Sequence, residues 1–332
     1  MLSTGRVATK PGVEVAHTAD SVLFIGTNFE FPMFNSEAKF IDVNLRPSVI
    51  GDRHPAYLGV LADARIFLRQ LLTEVQDRKA AGVNLTSAHD RWYDAAVENR
   101  REWDAWIQKN AERISEAPAR FESIYQVINQ MAADNAVFGV DVGNVNIATA
   151  RFLEMSKERT FTTSPLYATM GYGIPAGLAA ALAYPGREVW TLSGDGGAAM
   201  MIQDLRAQAD EHLPIINVVF TNKSLGFIEA EQDDTKQPHS GIDLSDIDFA
   251  KVAEGFGVRG CTVHTGEEFA RVVNEVKGTK DPVLIDVKIT NDRLLPVEKY
   301  AFLPREALSD FAREYAATDL TPFAEILEKY EA

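Results

Sequence analysis

Residues Val189 to Phe227 constrain the fold more than any other stretch of this chain. A short apolar run breaks at Gly194-Asp195-Gly196-Gly197, a helix-like segment follows, and a second apolar run, Ile215 to Phe220, closes the unit. Apolar runs of strand length, bounded by breakers and separated by a helical segment, spell a βαβ unit. Asn222 follows Asp195 by 27 positions and lies just past the second strand. Neighbouring parallel strands release both residues at one edge of the sheet, so a carboxylate and a carboxamide can converge there.

That convergence has a chemical use. Mg²⁺ takes oxygen ligands in near-octahedral geometry and usually keeps substrate phosphates among them, so one Asp, one Asn and a loop carbonyl leave room for phosphate oxygens and water. Glycines beside Asp195 let the backbone come close to phosphates, and the following helix turns free N–H groups toward them. Taken singly, a tight turn at Gly194 to Gly197, an N-cap at Asp195 and a turn residue at Asn222 are common roles for these residue types. Those separate roles leave the register of the three features unexplained.

Composition narrows the partners. The 332 residues have room for two domains, and 46% hydrophobic content is ample for buried cores. With 33 basic against 48 acidic residues, the net charge of −15 argues against nucleic acid and anionic membrane surfaces as partners. A diphosphate must then be held locally, through metal and backbone. The single cysteine, Cys261, excludes an internal disulfide framework and suits a reducing cytoplasm; as a small residue in the expected strand Val258 to Val263 it reads as buried. The N-terminus has no apolar core of signal-peptide length and no run of 18 apolar residues occurs, which points to a cytoplasmic protein.

Gly194-Asp195-Gly196, the gap and Asn222-Lys223-Ser224 resemble the signature of thiamine diphosphate (ThDP) enzymes. The resemblance implies that Asp195, Asn222 and the carbonyl of Ser224 hold Mg²⁺. It also puts Val142, Gly143 and Asn144, in the loop Asp141 to Asn144, beside the diphosphate, with Gly194, Gly196, Gly197, Ala198 and Gly226 around it. In Thr169-Met170 it implies an apolar wedge under the cofactor that forces its rings into a V; read alone, Met170 is core filler. Phe227 and Glu231, four apart, share a helical face. They match positions from which pyruvate oxidases project substrate-pocket side chains, although Phe227 also reads as core and Glu231 as one acid of a solvated run.

Upstream, Ser21 to Gly26, Phe40 to Val43 and Tyr57 to Leu61 read as strands. A helix is expected from Asp63 to about Val75, with Ile66, Leu68, Leu71, Leu72 and Val75 on one face. Three short strands and one helix make half of a Rossmann-type domain. Gly26-Thr27-Asn28, Pro47 to His54 and Leu61-Ala62-Asp63-Ala64 are similar to the second half of the middle, FAD-binding domain of pyruvate oxidases. This adds FAD to the implied cofactors, with Asn28 and Asp63 beside it, although each also reads as an ordinary loop or cap residue. The acidic pair that this family carries before the proline is replaced by Asn44-Leu45-Arg46, which alters any contact to adenosine hydroxyls.

The expected organisation is α/β: a doubly wound parallel sheet for the ThDP diphosphate, preceded by part of a Rossmann-like middle domain. We expect the middle-domain portion over 1–78, a helical linker over 79–120 in which Trp92, Trp103 and Trp106, with Tyr93 beside them, stand among charges and the tryptophans share a packing face, the ThDP and Mg²⁺ domain over 121–292, and an amphipathic helical tail over 293–332. Within the third segment, helices are expected at Ile124 to Met131, Ala176 to Ala183, Phe249 to Phe256 and Glu267 to Lys277. Strands are expected at Val137 to Val140, Gly257 to Val263 and Val283 to Lys288.

The resemblance covers the later part of the pyruvate oxidase order of pyrimidine-binding, middle and diphosphate-binding domains; the glutamate that activates the pyrimidine belongs to the first and has no counterpart in these residues. It implies oxidative decarboxylation of pyruvate with phosphate and O₂ to acetyl phosphate, CO₂ and H₂O₂. It also implies sites between subunits, hence a homo-oligomer such as a dimer of dimers, or a partner that supplies the pyrimidine-binding domain. Another ThDP-dependent 2-keto acid decarboxylase, an acetolactate synthase and a non-catalytic ThDP-binding subunit are the alternatives. Some quinone-linked relatives dock on membranes through their C-terminus; the acidic balance here favours a packed or partner-facing tail.

Overall fold

A computed structural model describes residues 9–27, 34–35, 37–85, 90–156, 158–292 and 294. The chain divides into two compact units, one holding Asp104 and the described residues before it, the other the described residues from Ala105 on.

In the first unit, α1 (Lys10–Thr18) leads into β1 (Ser21–Ile25), β2 (Lys39–Asn44) and β3 (Leu58–Leu61), followed by α2 (Ala64–Ala80). The three strands pair in parallel in the order β1-β2-β3. The core is small and aromatic: Phe24 stacks on Phe40 with ring centroids 5.5 Å apart, and His54 stacks on the same Phe40 at 4.5 Å. The helix expected to end near Val75 runs on to Ala80, and Asp63 is its N-cap, accepting from the amides of Arg65 and Ile66. None of its residues is buried, and on its apolar face Ile66, Leu68, Leu71 and Leu72 are exposed.

The polar stretch expected as a linker contains α3 (Asp90–Ala111), a helix of 22 residues that runs through the division between the units. Its aromatic side chains do not share one burial: Trp103 is buried and Trp106 half-buried, while Trp92 and Tyr93 are exposed. The Trp92 indole N–H is nonetheless satisfied, donating to Thr18 Oγ1.

The second unit is a six-stranded, wholly parallel sheet in the order β5-β4-β6-β7-β9-β8. Its strands are β4 (Val137–Val140), β5 (Thr160–Thr162), β6 (Val189–Gly194), β7 (Ile215–Thr221), β8 (Arg259–Val263) and β9 (Val283–Lys288). All seven residues of β7 and the first five of β6 are buried, as a strand covered on both faces requires. Alternation assigns the faces. Trp190, Leu192, Ile216, Val218 and Phe220 join the core under α4 (Phe121–Met131), α5 (Asn144–Phe152) and α11 (Gly266–Val276). Val189, Ile215 and Val219 face the other side, toward α6 (Gly173–Ala183), α8 (Leu205–Asp210) and α10 (Phe249–Gly255). This is the expected doubly wound sheet, and the strand order reverses between β4 and β6, where such sheets open a crevice.

Several boundaries move. The helix expected from Ile124 starts at Phe121, and the alanine-rich helix starts at Gly173, which puts Pro175 in a first turn that tolerates it. The strand expected from Gly257 starts at Arg259; as an edge strand it leaves Cys261 half-buried, not buried. The helices α1 and α5 and the three-residue strand β5 carried no expectation. Asn28 and the C-terminal tail, with its expected amphipathic helix, lie outside the described residues.

Candidate active site

Three loops meet at the carboxyl ends of β4, β6 and β7 and line a cavity of about 230 Å³. The β6 loop is the turn into α7 (Asp195–Met201), which a short 3-10 turn (Ile202–Asp204) joins to α8. The β7 loop runs from Asn222 to the start of α9 (Gly226–Asp234). The helices whose first residues line the cavity, α4, α5, α7 and α9, have no side-chain N-cap, as is also the case for α6 and α8, whereas α10 and α11 are capped by Asp248 and Thr265. Their opening N–H groups are therefore left to other acceptors.

Asp195 is buried at the cavity floor. Its Oδ1 accepts from the amide of Gly196 at 2.9 Å and its Oδ2 from the amide of Lys223 at 2.7 Å. Burial raises its carboxyl above the ordinary range, and the amides of Lys223, Gly196 and Asn222 pull it back down. Lys223 takes a positive φ of 61°, a conformation costly for a residue with a side chain, and this turns its N–H back onto Asp195. Ser224 forms an isolated antiparallel bridge with Asp243 whose hydrogen bonds come from its neighbours, Leu225 N–H to Ile242 and Leu244 N–H to Lys223. The N–H and C=O of Ser224 itself therefore point away from that bridge. The N–H finds Asn222 Oδ1 at 3.2 Å.

The β4 loop rests on a buried acid. Oδ1 of Asp141, a residue with no exposed surface, accepts from the amides of Val142 at 2.8 Å, Gly171 at 2.8 Å and Tyr172 at 3.3 Å. Burial raises its carboxyl, and the surrounding amides and the Ser193 hydroxyl lower it again. Asp141 thereby ties the loop that bears Gly143 to the loop that bears Met170. Gly143 has φ 129°, which only glycine adopts without strain. Gly197 packs directly on Asp141: a Cβ there would stand 2.6 Å from Oδ2.

Of the residues singled out in the sequence, Val142, Gly143, Asn144, Met170, Gly194, Asp195, Gly196, Gly197, Asn222, Ser224, Gly226, Phe227 and Glu231 all line this one cavity. Two of their neighbours do not. Thr169 is exposed and donates its amide to Ser164 Oγ, and Ala198 is buried in the core behind α7. Asp63 belongs to the first unit as the cap of α2. Sequence reasoning passed over Phe121, Leu225, Ile228 and Ile289, which make the wall apolar, and named Asp141 only as the start of the loop Asp141 to Asn144, not as the buried acceptor that holds it. Among the described residues no group of three or more His, Cys, Asp or Glu could hold a metal; the oxygen-bearing residues Asp195, Asn222 and Ser224 line the cavity together. Nor, among them, is any helix long and apolar enough to cross a membrane.

Comparison with known proteins agrees with this geometry. The C-terminal TPP-binding domain of thiamine pyrophosphate enzymes matches residues 141–287, and the central domain of the same enzymes matches residues 1–71. Pyruvate oxidase of Lactiplantibacillus plantarum is 37% identical over 99% of this chain and 55% of its own length. The large subunit of acetolactate synthase isozyme 1 of Escherichia coli is 27% identical over 83% of this chain and 48% of its own. Among solved structures, the thiamine diphosphate-dependent 4-hydroxybenzoylformate decarboxylase of Rhodococcus jostii RHA1 shares the fold, with a TM-score of 0.64 at 21% identity over 85% of this chain and 51% of that one. The chain spans about half the length of the curated relatives it matches. It belongs to the thiamine pyrophosphate enzymes, and residues 141–287 are its TPP-binding domain.

Proposed function

We propose that this chain is the cofactor-holding part of a pyruvate oxidase, converting pyruvate, phosphate and O₂ to acetyl phosphate, CO₂ and H₂O₂, and that Mg²⁺ bridges ThDP to the protein. The observation that carries the reading is the meeting of Asp195, Asn222 and Ser224 at one cavity that also holds Met170, Phe227 and Glu231. The donor set is all oxygen and one acid short of a closed protein cage, which suits an ion that keeps phosphate ligands. The 37% identity to a pyruvate oxidase supports this substrate over others.

Each residue then has a definite task. Asp195 and Asn222, which follow two neighbouring strands, would hold the metal, with Ser224 as the third protein donor through its carbonyl. Gly143, Gly196 and Gly197 admit the diphosphate against the backbone. Met170, which lines the cavity, would pack against the cofactor's rings. Phe121, Phe227 and Ile289 exclude water from the reacting end, and Glu231 moves a proton there through its carboxyl. ThDP itself supplies the electron sink for decarboxylation. FAD, as electron acceptor, would engage the first unit, where the similarity to the pyruvate oxidase extends through the central-domain match. We further propose a cytoplasmic oligomer in which a second chain or segment contributes the pyrimidine-binding part.

The similarity to acetolactate synthase favours a second reading, condensation of two 2-keto acids. Product analysis separates them: acetyl phosphate and peroxide from pyruvate support the oxidase, acetolactate supports the synthase. ThDP binding without turnover by the isolated chain supports a binding subunit that requires its partner.

A further inference from the structure

The two candidate metal ligands of the β7 loop are closed into a ring by two residues that do not line the cavity. Asn222 Nδ2 donates to Asn291 Oδ1 at 2.8 Å, and Asn291 Nδ2 donates to Glu229 Oε2 at 3.3 Å. The same Oε2 accepts from Ser224 Oγ at 2.7 Å, and the Ser224 amide returns to Asn222 Oδ1 at 3.2 Å. Four residues from the β7 loop, from α9 and from the segment after β9 thus form one closed circuit.

The circuit has a direction, set at both ends: the Ser224 main-chain N–H only donates and the Glu229 carboxylate only accepts. A carboxylate only accepts, so the amide of Asn291 must turn its NH₂ to Glu229 and its oxygen to Asn222. Asn222 must answer with its NH₂, which leaves Oδ1 on the side of the Ser224 amide. An asparagine at a metal site is a ligand in one of its two orientations only, because the flipped amide presents hydrogens to the cation. On these grounds we propose that Glu229 is a positioning residue: acting through Asn291 and Ser224, it fixes Asn222 with its oxygen toward the cation. The inference rests on the assignment of Asp195, Asn222 and Ser224 to a divalent cation made above.

Mn²⁺ is a spectroscopically visible substitute for Mg²⁺, and its binding to the full chain with saturating ThDP reads the proposal without any turnover. Loss of a partner that orients a metal ligand typically weakens affinity by about 10- to 100-fold. Glu229→Ala and Asn291→Ala are each expected to weaken Mn²⁺ by about tenfold or more. Because they interrupt one relay, the double variant should be no weaker than the worse single one by more than about twofold. Ser224→Ala keeps the carbonyl and removes one of the two donors to Glu229, so it is expected to lose less. Glu229→Gln keeps the shape but admits either orientation, and should fall between wild type and Glu229→Ala. A role in folding alone would lower the melting temperature of the metal-free protein and leave Mn²⁺ affinity in place. Affinities within about twofold of wild type for Glu229→Ala and Asn291→Ala, or losses that multiply in the double variant, overturn the proposal. If Glu229→Ala does not fold, Asn291→Ala and Ser224→Ala decide by the same criterion. Absence of Mn²⁺ binding by folded wild type with ThDP is a different result, and it overturns the cation site itself.

Discussion

The main-chain amide of Lys223 donates to Oδ2 of Asp195 at 2.7 Å across 28 residues of sequence, so the loop after β7 is latched onto the loop after β6. The latch depends on the positive φ of Lys223, 61°. Lys223→Pro removes the donor and fixes φ near −65°, and should cost about 3 kcal/mol or more. Lys223→Gly keeps the N–H and relieves the strain, and should be neutral or stabilising by a few tenths of a kcal/mol. Urea unfolding of the two variants checks the pair; equal losses would mean that the latch does not hold the loop.

Asp141 ties together three amides, those of Val142, Gly171 and Tyr172. Asp141→Leu leaves them unpaired in the interior, at about 1–3 kcal/mol for each buried group. The pH dependence has a definite sign. Burial raises the Asp141 carboxyl, so the folded chain binds this proton more tightly than the unfolded one. Its contribution to stability is full below the ordinary carboxylate range and is lost as pH rises through the raised native value. Asp141→Asn does not titrate. The stability of wild type minus that of Asp141→Asn should therefore fall as pH climbs through that window, and a difference constant with pH would contradict the assignment.

Gly197 and Gly194 sit three residues apart and should respond oppositely to alanine. A Cβ on Gly197 meets the pinned Asp141 carboxylate at 2.6 Å, whereas one on Gly194 meets nothing within 4 Å. Overpacking of this kind costs about 1–3 kcal/mol. Thermal unfolding of Gly197→Ala should show that loss, with Gly194→Ala close to wild type in the absence of ligand.

Much of this was legible in the sequence. Strands β6 and β7 are buried on both faces, so they read as unbroken apolar runs with glycine and asparagine at their ends, and the residues that follow them line one cavity. The edge strand β5 has three residues and no such run. Adjacent residues also defeat a linear reading: Met170 and Gly197 line the cavity, while Thr169 and Ala198 beside them face solvent and core. Glu229 and Asn291 are 62 positions apart, and only the fold brings their side chains together.

The apolar stripe of α2 shows the same limit from the other side. Spacing put Leu68, Leu71 and Leu72 on one face, which is correct for a helix, but periodicity says nothing about what covers a face, and here they are exposed. Large exposed apolar surface promotes association. Leu71→Lys with Leu72→Glu should reduce concentration-dependent self-association in sedimentation velocity, with the helix content unchanged.

The central claim is that Asp195, Asn222 and Ser224 hold a ThDP-bound divalent cation, and calorimetric unfolding with and without ThDP and Mg²⁺ tests it most directly. At 100-fold excess over its dissociation constant a ligand of the folded state stabilises by about 2.7 kcal/mol, or roughly 5–10 °C for a domain of this size. We expect that shift for wild type, its dependence on Mg²⁺, and its loss in Asp195→Ala. An unchanged melting temperature at saturating ThDP and Mg²⁺, in a protein that is folded, would contradict the account.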